Sequence, residues 1–247
     1  MPTSLSSTSS PLFIARMAGA LWLAVFIVSS LAVAGPTIVV AADAAATARN
    51  ILNSELAFRL GVFEEFVGGA FYVGVTVLLY QLLKPVSRNL SLFAACCGAI
   101  GVSVGAGLTV RDLGVALLLK SAQTASAADA SQMQAVALAS IRTFGLGFKV
   151  SMVYFGLQCA TVGYLIARSG FMPRLIGVLL AIGGSFYVIS SFAAFLSPEL
   201  GDSLAPIVVP AAFVGEGAAT VWLLLKGVNV DKWMTRAGAM SLDRVAA

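Results

Sequence analysis

Residues 174–196 read RLIGVLLAIGGSFYVISSFAAFL. Arg174 opens the stretch, and no further charge follows before Glu199. At about 1.5 Å of rise per helical residue, such a run reaches across the roughly 30 Å of hydrocarbon in a bilayer. Its apolar residues are continuous, whereas a membrane β-strand alternates in polarity at every second residue over about ten. The stretch reads as a transmembrane helix.

Five more runs share these features: residues 13–34, 61–83, 91–118, 138–167 and 206–226. Together the six predict an all-α, polytopic transmembrane helical bundle occupying one domain over residues 13–228. A disordered segment, 1–12, precedes it, and a polar cytoplasmic tail, 229–247, follows. Composition agrees with this reading. Of 247 residues, 59% are hydrophobic and 11% charged, against about 25% charged in an ordinary soluble domain. Mean hydropathy is +0.96. A chain with so little polar surface cannot cover a water-soluble globule.

Charge placement sets the expected orientation. Arg16, Lys84, Arg88, Arg168, Arg174, Lys226, Lys232, Arg236 and Arg244 all fall at one side of the six spans, accompanied by only Asp231 and Asp243. By the positive-inside rule that side is cytoplasmic, and both termini lie on it. The net charge of +4 is therefore a topology signal. Its basic residues are scattered singly, with no block to track phosphates, so no nucleic-acid partner is expected.

The first run resembles a signal peptide in one respect, because Ala32-Val33-Ala34 has the form of a cleavage site. The run is long for a signal h-region, and Pro36 follows the candidate scissile bond. An uncleaved first helix is expected. Between the first two spans, Asp43 suits a helix N-cap, and Ala48, Leu52, Leu56 and Leu60 recur every fourth residue. This predicts a short helix on the surface or an extension of the second span. Residues 120–134 are rich in Ala, Ser, Thr and Gln and read as a solvated loop, and the tail after Lys226 as little ordered. Tyr80–Arg88 and Tyr164–Arg174 run alike from a helix end through a basic turn. A parallel internal repeat and convergent positive-inside turns explain this equally well.

The chain has no histidine, and its cysteines, Cys96, Cys97 and Cys159, lie in apolar runs without CxxC spacing. Histidine-ligated metals and haem and His-based catalytic triads are excluded, and no metal or other cofactor is expected. No dinucleotide, Walker A or nucleophile-elbow motif is present. Gly101-Val102-Ser103-Val104-Gly105, followed by Gly107, is a GxxxG pattern suited to close packing within the bundle.

Ionisable groups in hydrocarbon are costly, so their depth matters. Glu216 lies ten residues before Lys226, which places it about 15 Å deep, near the midplane. Gly215, Gly217 and Pro210 beside it suggest locally irregular backbone. Gln158 has the same depth measured from Arg168, and shares a helix face with Tyr154 and Thr161. Glu65, Gly69, Tyr72 and Thr76 form a polar stripe on the second span, and Ser185 lies at mid-depth on the fifth. A candidate intramembrane site thus comprises Glu216, Gln158, Tyr154, Tyr72, Glu65 and Ser185, converging on a small cavity. The competing reading is that these side chains are hydrogen-bonded cement between helices, worth about 0.6 kcal/mol each. Near the outer face, Glu64, Arg111, Asp112, Arg142 and Lys149 form a candidate charge cluster, with interfacial snorkelling as its alternative.

Several of these segments carry a family resemblance. They are Ala15-Arg16-Met17-Ala18-Gly19, Asp43 through Ala48, Leu79 through Val86, Tyr154-Phe155-Gly156-Leu157-Gln158-Cys159, Gly163 through Ile166, Arg168 through Arg174, Gly177 through Leu180, Pro210, Gly215-Glu216 and Trp222 through Val228. Over about residues 12–228 the chain resembles the bacterial membrane-protein family catalogued as domain of unknown function 4386. The resemblance implies a multi-pass protein of the bacterial inner membrane and supplies no activity, cofactor or catalytic residue. Many relatives carry histidine after Phe-Gly-Leu, where this chain has Gln158. A metal-binding or proton-shuttling role of that histidine would be lost here; a hydrogen-bonding role would survive.

The functional expectation is a small-solute or proton-linked carrier, or ligand-binding bundle, built around Glu216. The alternative is a non-catalytic membrane subunit or sensor acting through helix contacts. One deep carboxylate without histidine leaves little acid–base machinery, so an enzyme is not expected. The expected partners are the lipid bilayer and either a small-molecule ligand or another membrane protein.

Overall fold

The computed structural model describes residues 10–31, 40 and 43–246. The Ala32-Val33-Ala34 motif, Pro36 and the leading residues 1–9 lie outside the described residues. Eight helices follow one another: α1 Pro11–Leu31, α2 Ala44–Asn53, α3 Glu55–Leu83, α4 Arg88–Ala122, α5 Ala127–Ser169, α6 Arg174–Leu196, α7 Pro198–Leu225 and α8 Val230–Ala246. Six of them, α1 and α3 to α7, are long and apolar enough to cross a membrane.

Local chemistry sets the ends of these helices. Ser87, Ser126 and Ser197 cap α4, α5 and α7 by accepting from the backbone N–H groups of Leu90, Asp129 and Leu200. Pro198 occupies the first turn of α7, where a missing N–H costs nothing. Gly170 ends α5 with φ +75°, a left-handed conformation that glycine adopts without Cβ strain. Asp43 caps α2 through Ala46 N–H at 2.8 Å, as the sequence suggests.

Three expectations are corrected. Residues 120–134 are a loop only at 123–126: α4 runs to Ala122 and α5 starts at Ala127. Alanine there favours helix, and Ala137 packs with Ala48, Ile51, Val115 and Leu119 in a small second core under α2. Pro11 and Leu12 belong to α1 rather than to a disordered leader. The polar tail forms α8, capped by the Asn229 side chain on Lys232 N–H and tethered by Trp233, whose indole N–H donates to the Leu82 carbonyl at 2.8 Å.

Each spanning helix packs on the next in sequence, and α1 closes the ring against α7. From α3 to α7 the connections are four residues or fewer, which forces neighbouring helices into this up-and-down order. The tightest seam is α5 against α6. A Cβ on Gly163 would stand 2.5 Å from the Gly177 carbonyl oxygen, and one on Gly177 would stand 2.5 Å from that of Gly163. Gly156 and Gly184 repeat the arrangement seven residues away on each helix. The GxxxG pattern on α4 does less. Gly101 accepts from the Ser151 hydroxyl of α5 at 2.8 Å, but Gly105 and Gly107 face open space.

The main core fills one half of the ring. Leu79, Leu82, Leu83, Leu165, Ile166 and Leu223 are buried there with Phe171 and Met172. The basic turns at 84–87 and 170–173 and helix α8 lie at this end, where Asn229 N–H donates to the Phe171 carbonyl at 3.0 Å. α7 runs unbroken through Pro206 and Pro210. Gly215 serves instead to bring α7 against the Leu179 carbonyl of α6, where a Cβ would sit at 2.6 Å.

Candidate functional site

The other half of the ring surrounds an open cavity of about 600 Å³. Its deepest acid is Glu216, 6% exposed, on α7. Ten residues of helix separate Glu216 from Lys226, so it lies about 15 Å from the basic end. The hydroxyl of Tyr187 on α6 donates to Glu216 Oε1 at 2.9 Å. Trp22 of α1 is a second neighbour of the carboxylate. A chain of aromatic rings forms the floor: Trp22 meets Tyr72 edge-on at 6.4 Å, Tyr72 meets Phe155 at 4.9 Å, and Phe155 meets Tyr187 at 5.6 Å. Helices α1, α3, α5, α6 and α7 thus each place a side chain at one depth.

Gln158 lies behind that floor, 1% exposed. Its Oε1 accepts from the Tyr72 hydroxyl at 3.0 Å, and its Nε2 donates to Thr76 Oγ1 at 3.0 Å. Gly98 of α4 makes the room, since a Cβ there would fall on the Gln158 carboxamide. Cys159 is buried beside Tyr72. The polar network is satisfied, which is what burial in an apolar medium demands.

At the end away from the basic turns, Glu64, Glu65 and Thr109 line the cavity. Thr109 donates its hydroxyl to Glu65 Oε2 at 2.5 Å. Glu64 shares the buried face of α3 with Gly68 and Tyr72. It is 9% exposed, and its Oε2 is buried with no hydrogen-bond partner among the described residues.

Of the residues singled out from sequence, Glu216, Tyr72 and Glu65 line this one cavity, and Gln158 supports it through Tyr72. Ser185 does not converge on it. The residue is exposed and donates to the Ala181 carbonyl of its own helix at 2.8 Å, because the glycine seam turns that face of α6 outward. Tyr154 is half-buried beside Gly101 and hydrogen-bonds neither Gln158 nor Glu216 among the described residues. The charge cluster is also redistributed. Arg111 pairs with its neighbour Asp112 at 2.7 Å, donates to Thr143 Oγ1 at 3.2 Å and lies 5.3 Å over the Phe144 ring. Arg142 is exposed and Lys149 half-buried, and neither forms an ion pair with Glu64 or Glu65. A further ion-pair set, Glu55 with Arg59 at 2.7 Å and Lys120 at 2.8 Å, ties α3 to the far end of α4.

Four residues of the site escaped sequence reasoning: Trp22 and Thr109, besides Tyr187 and Phe155. Tyr187 was legible only as a tyrosine at mid-depth, two positions from Ser185. Phe155 carries no polar signal and would read as ordinary core.

A family model described as "Domain of unknown function (DUF4386)" matches residues 17–227. The chain belongs to this family. The match reaches into all six candidate membrane helices and covers every residue that lines the cavity. This DUF4386 member is also similar to an "Uncharacterized protein" of Archaeoglobus fulgidus, at 26% identity over 164 residues, covering 65% of this chain and 79% of the relative. No solved structure matches it. The structure shows a helical bundle with six candidate membrane spans, and DUF4386 membership assigns it no activity.

Proposed function

We propose that this protein is a small-solute or proton-linked carrier, or a ligand-binding bundle, whose site is the cavity above Glu216. One observation carries the reading. The cavity connects acids at one end of the ring to Glu216 at mid-depth, while the other half of the ring is filled by buried leucine and isoleucine. A site reached from one side and sealed from the other is what a carrier presents in one of its two states. Its lining is largely apolar with a few polar groups converging, the usual make-up of a small-molecule site. Under the positive-inside rule, the sealed end with Lys84, Arg88, Arg174 and Lys226 faces the cytoplasm, and the cavity opens away from it. The membrane is then the bacterial inner membrane, and the protein acts without catalysis.

A second reading, a membrane subunit or sensor, rests on the small core formed by α2 with the ends of α4 and α5.

The test uses the full chain in nanodiscs and in vesicles. A panel of small solutes is screened for those that raise the melting temperature. Each positive solute is then assayed for uptake, alongside release of protons into entrapped dye. The expected result is a solute whose effect is present in the wild type and lost in Glu216→Gln. If Glu216→Gln alters neither stability, binding nor flux, the carboxylate is filler and the reading fails. Co-purification of a stoichiometric membrane partner, with no solute effect, would favour the second reading.

A further inference from the structure

We infer that the cavity takes an organic cation: a positively charged amine, phosphonium or similar centre on an apolar, ring-bearing body. The inference rests on the reading of the cavity as a ligand site and names the ligand's chemistry.

Three observations converge. First, the charged side chains lining the cavity are Glu64, Glu65 and Glu216; among the described residues no lysine or arginine lines it. Arg111 stands nearby at the rim, but Asp112 answers its charge at 2.7 Å and its guanidinium lies over Phe144. Second, Glu64 Oε2 is buried and accepts no hydrogen bond among the described residues, on a side chain only 9% exposed. A buried carboxylate oxygen is costly without a donor. An ammonium in the cavity supplies that donor, and any cationic centre supplies the opposite charge. Third, eight aromatic rings line the same space, among them Phe26, Phe144, Phe148, Phe155 and Phe213. Ring faces attract cations and offer apolar area to a lipophilic body. Carboxylates with aromatic faces suit a hydrophobic cation and repel an anion of the same shape.

The two buried acids act at different depths. Glu64 lies twenty residues before Lys84 and Glu216 ten before Lys226, so about 15 Å of helix rise separates them. Glu64 meets the cation at entry. Glu216, held by Tyr187, sits at the bottom beside the aromatic floor.

The test compares three probes on the full chain in nanodiscs, with empty nanodiscs as the partition control. Tetraphenylphosphonium is the cation, tetraphenylborate the anion of the same shape, and N-phenyl-1-naphthylamine a neutral aromatic. Binding is read by calorimetry or probe fluorescence. The cation is expected to bind saturably and the anion not at all. Glu64→Gln and Glu216→Gln should each weaken cation binding about tenfold or more, the loss of one charge contact. Glu199→Gln, an exposed acid in the first turn of α7, should leave it unchanged. Gly105→Phe, at a lining position where an added Cβ meets nothing within 4 Å, should project a ring into the cavity and abolish binding without unfolding the bundle. Binding of the anion or the neutral probe, blocked by Gly105→Phe while the cation stays unbound, overturns the ligand class and leaves the cavity reading standing. Absence of any binding sensitive to Gly105→Phe, together with an empty solute screen, overturns both. Cation binding indifferent to both Glu→Gln changes overturns the inference.

Discussion

The Tyr187 hydroxyl donates to Glu216 Oε1 at 2.9 Å, joining α6 to the deepest acid of α7. The pair explains how a carboxylate is kept at the midplane without a lysine or arginine beside it. Removing the hydroxyl in Tyr187→Phe keeps the ring that meets Phe155 and deletes one hydrogen bond. Stability in bilayers should fall by about 0.6 kcal/mol and by no more than about 1.7 kcal/mol, the span measured for such bonds in membranes. Reversible unfolding in mixed micelles checks this. A larger loss would mean that the ring is displaced as well.

Gln158 gives a sharper contrast between substitutions. In Gln158→Leu the buried Tyr72 and Thr76 hydroxyls lose their partner, which should cost about 1–3 kcal/mol. Gln158→His retains a ring nitrogen to accept from Tyr72 and should be tolerated better than leucine. The readout is melting temperature for the three side chains in parallel. A histidine variant as unstable as the leucine variant would show that the pocket beside Gly98 accepts only the amide shape.

Gly98 and Gln158 should be coupled energetically. A Cβ at Gly98 lands on the carboxamide, so Gly98→Ala alone forces the glutamine out of its two hydrogen bonds. With Gln158→Ala already in place, the same change meets empty space. A double-mutant cycle should give an interaction energy of about 0.5–3 kcal/mol. Additive effects would contradict the placement.

The α5–α6 seam predicts a difference between glycines of one helix. Gly163→Val places a branched side chain against the Gly177 carbonyl and should prevent assembly of the native ring. Gly145, on the same helix with nothing within 4 Å, should accept alanine with a gain of about 0.4–1 kcal/mol, as expected where native φ and ψ suit alanine. Size-exclusion profiles and melting curves separate the two outcomes.

The α8 tether can be cut without touching the membrane core. Trp233→Phe removes the donor to the Leu82 carbonyl while leaving an aromatic body. Hydrogen exchange over 230–246 should quicken, with the rates of α3 to α7 unchanged. Unchanged exchange in the tail would mean that Asn229 alone holds it.

Much of this was legible from the residues one by one. Continuous apolar runs such as 174–196 determine membrane helices because the bilayer tolerates no unsatisfied backbone. Serine caps and Gly170 mark where helices start and stop, and the depth of Glu216 follows from counting residues to Lys226. What sequence counting cannot supply is azimuth. An error of one residue turns a side chain by about 100° around a helix, which is why Ser185 was expected inside and Tyr187 lies there instead. The α5–α6 glycine seam sets that rotation through contacts between segments far apart in the chain. The order in 127–137 and 230–246 likewise came from partners, Ile51 with Val115 and Leu119 in one case and Leu82 in the other, that polar composition does not reveal. The sequence by itself determined the solvent, the number of crossings and the depth of the acids, all of which are local. Only the tertiary structure decided which of those acids share a cavity, because that depends on how six separate helices are rotated about their axes.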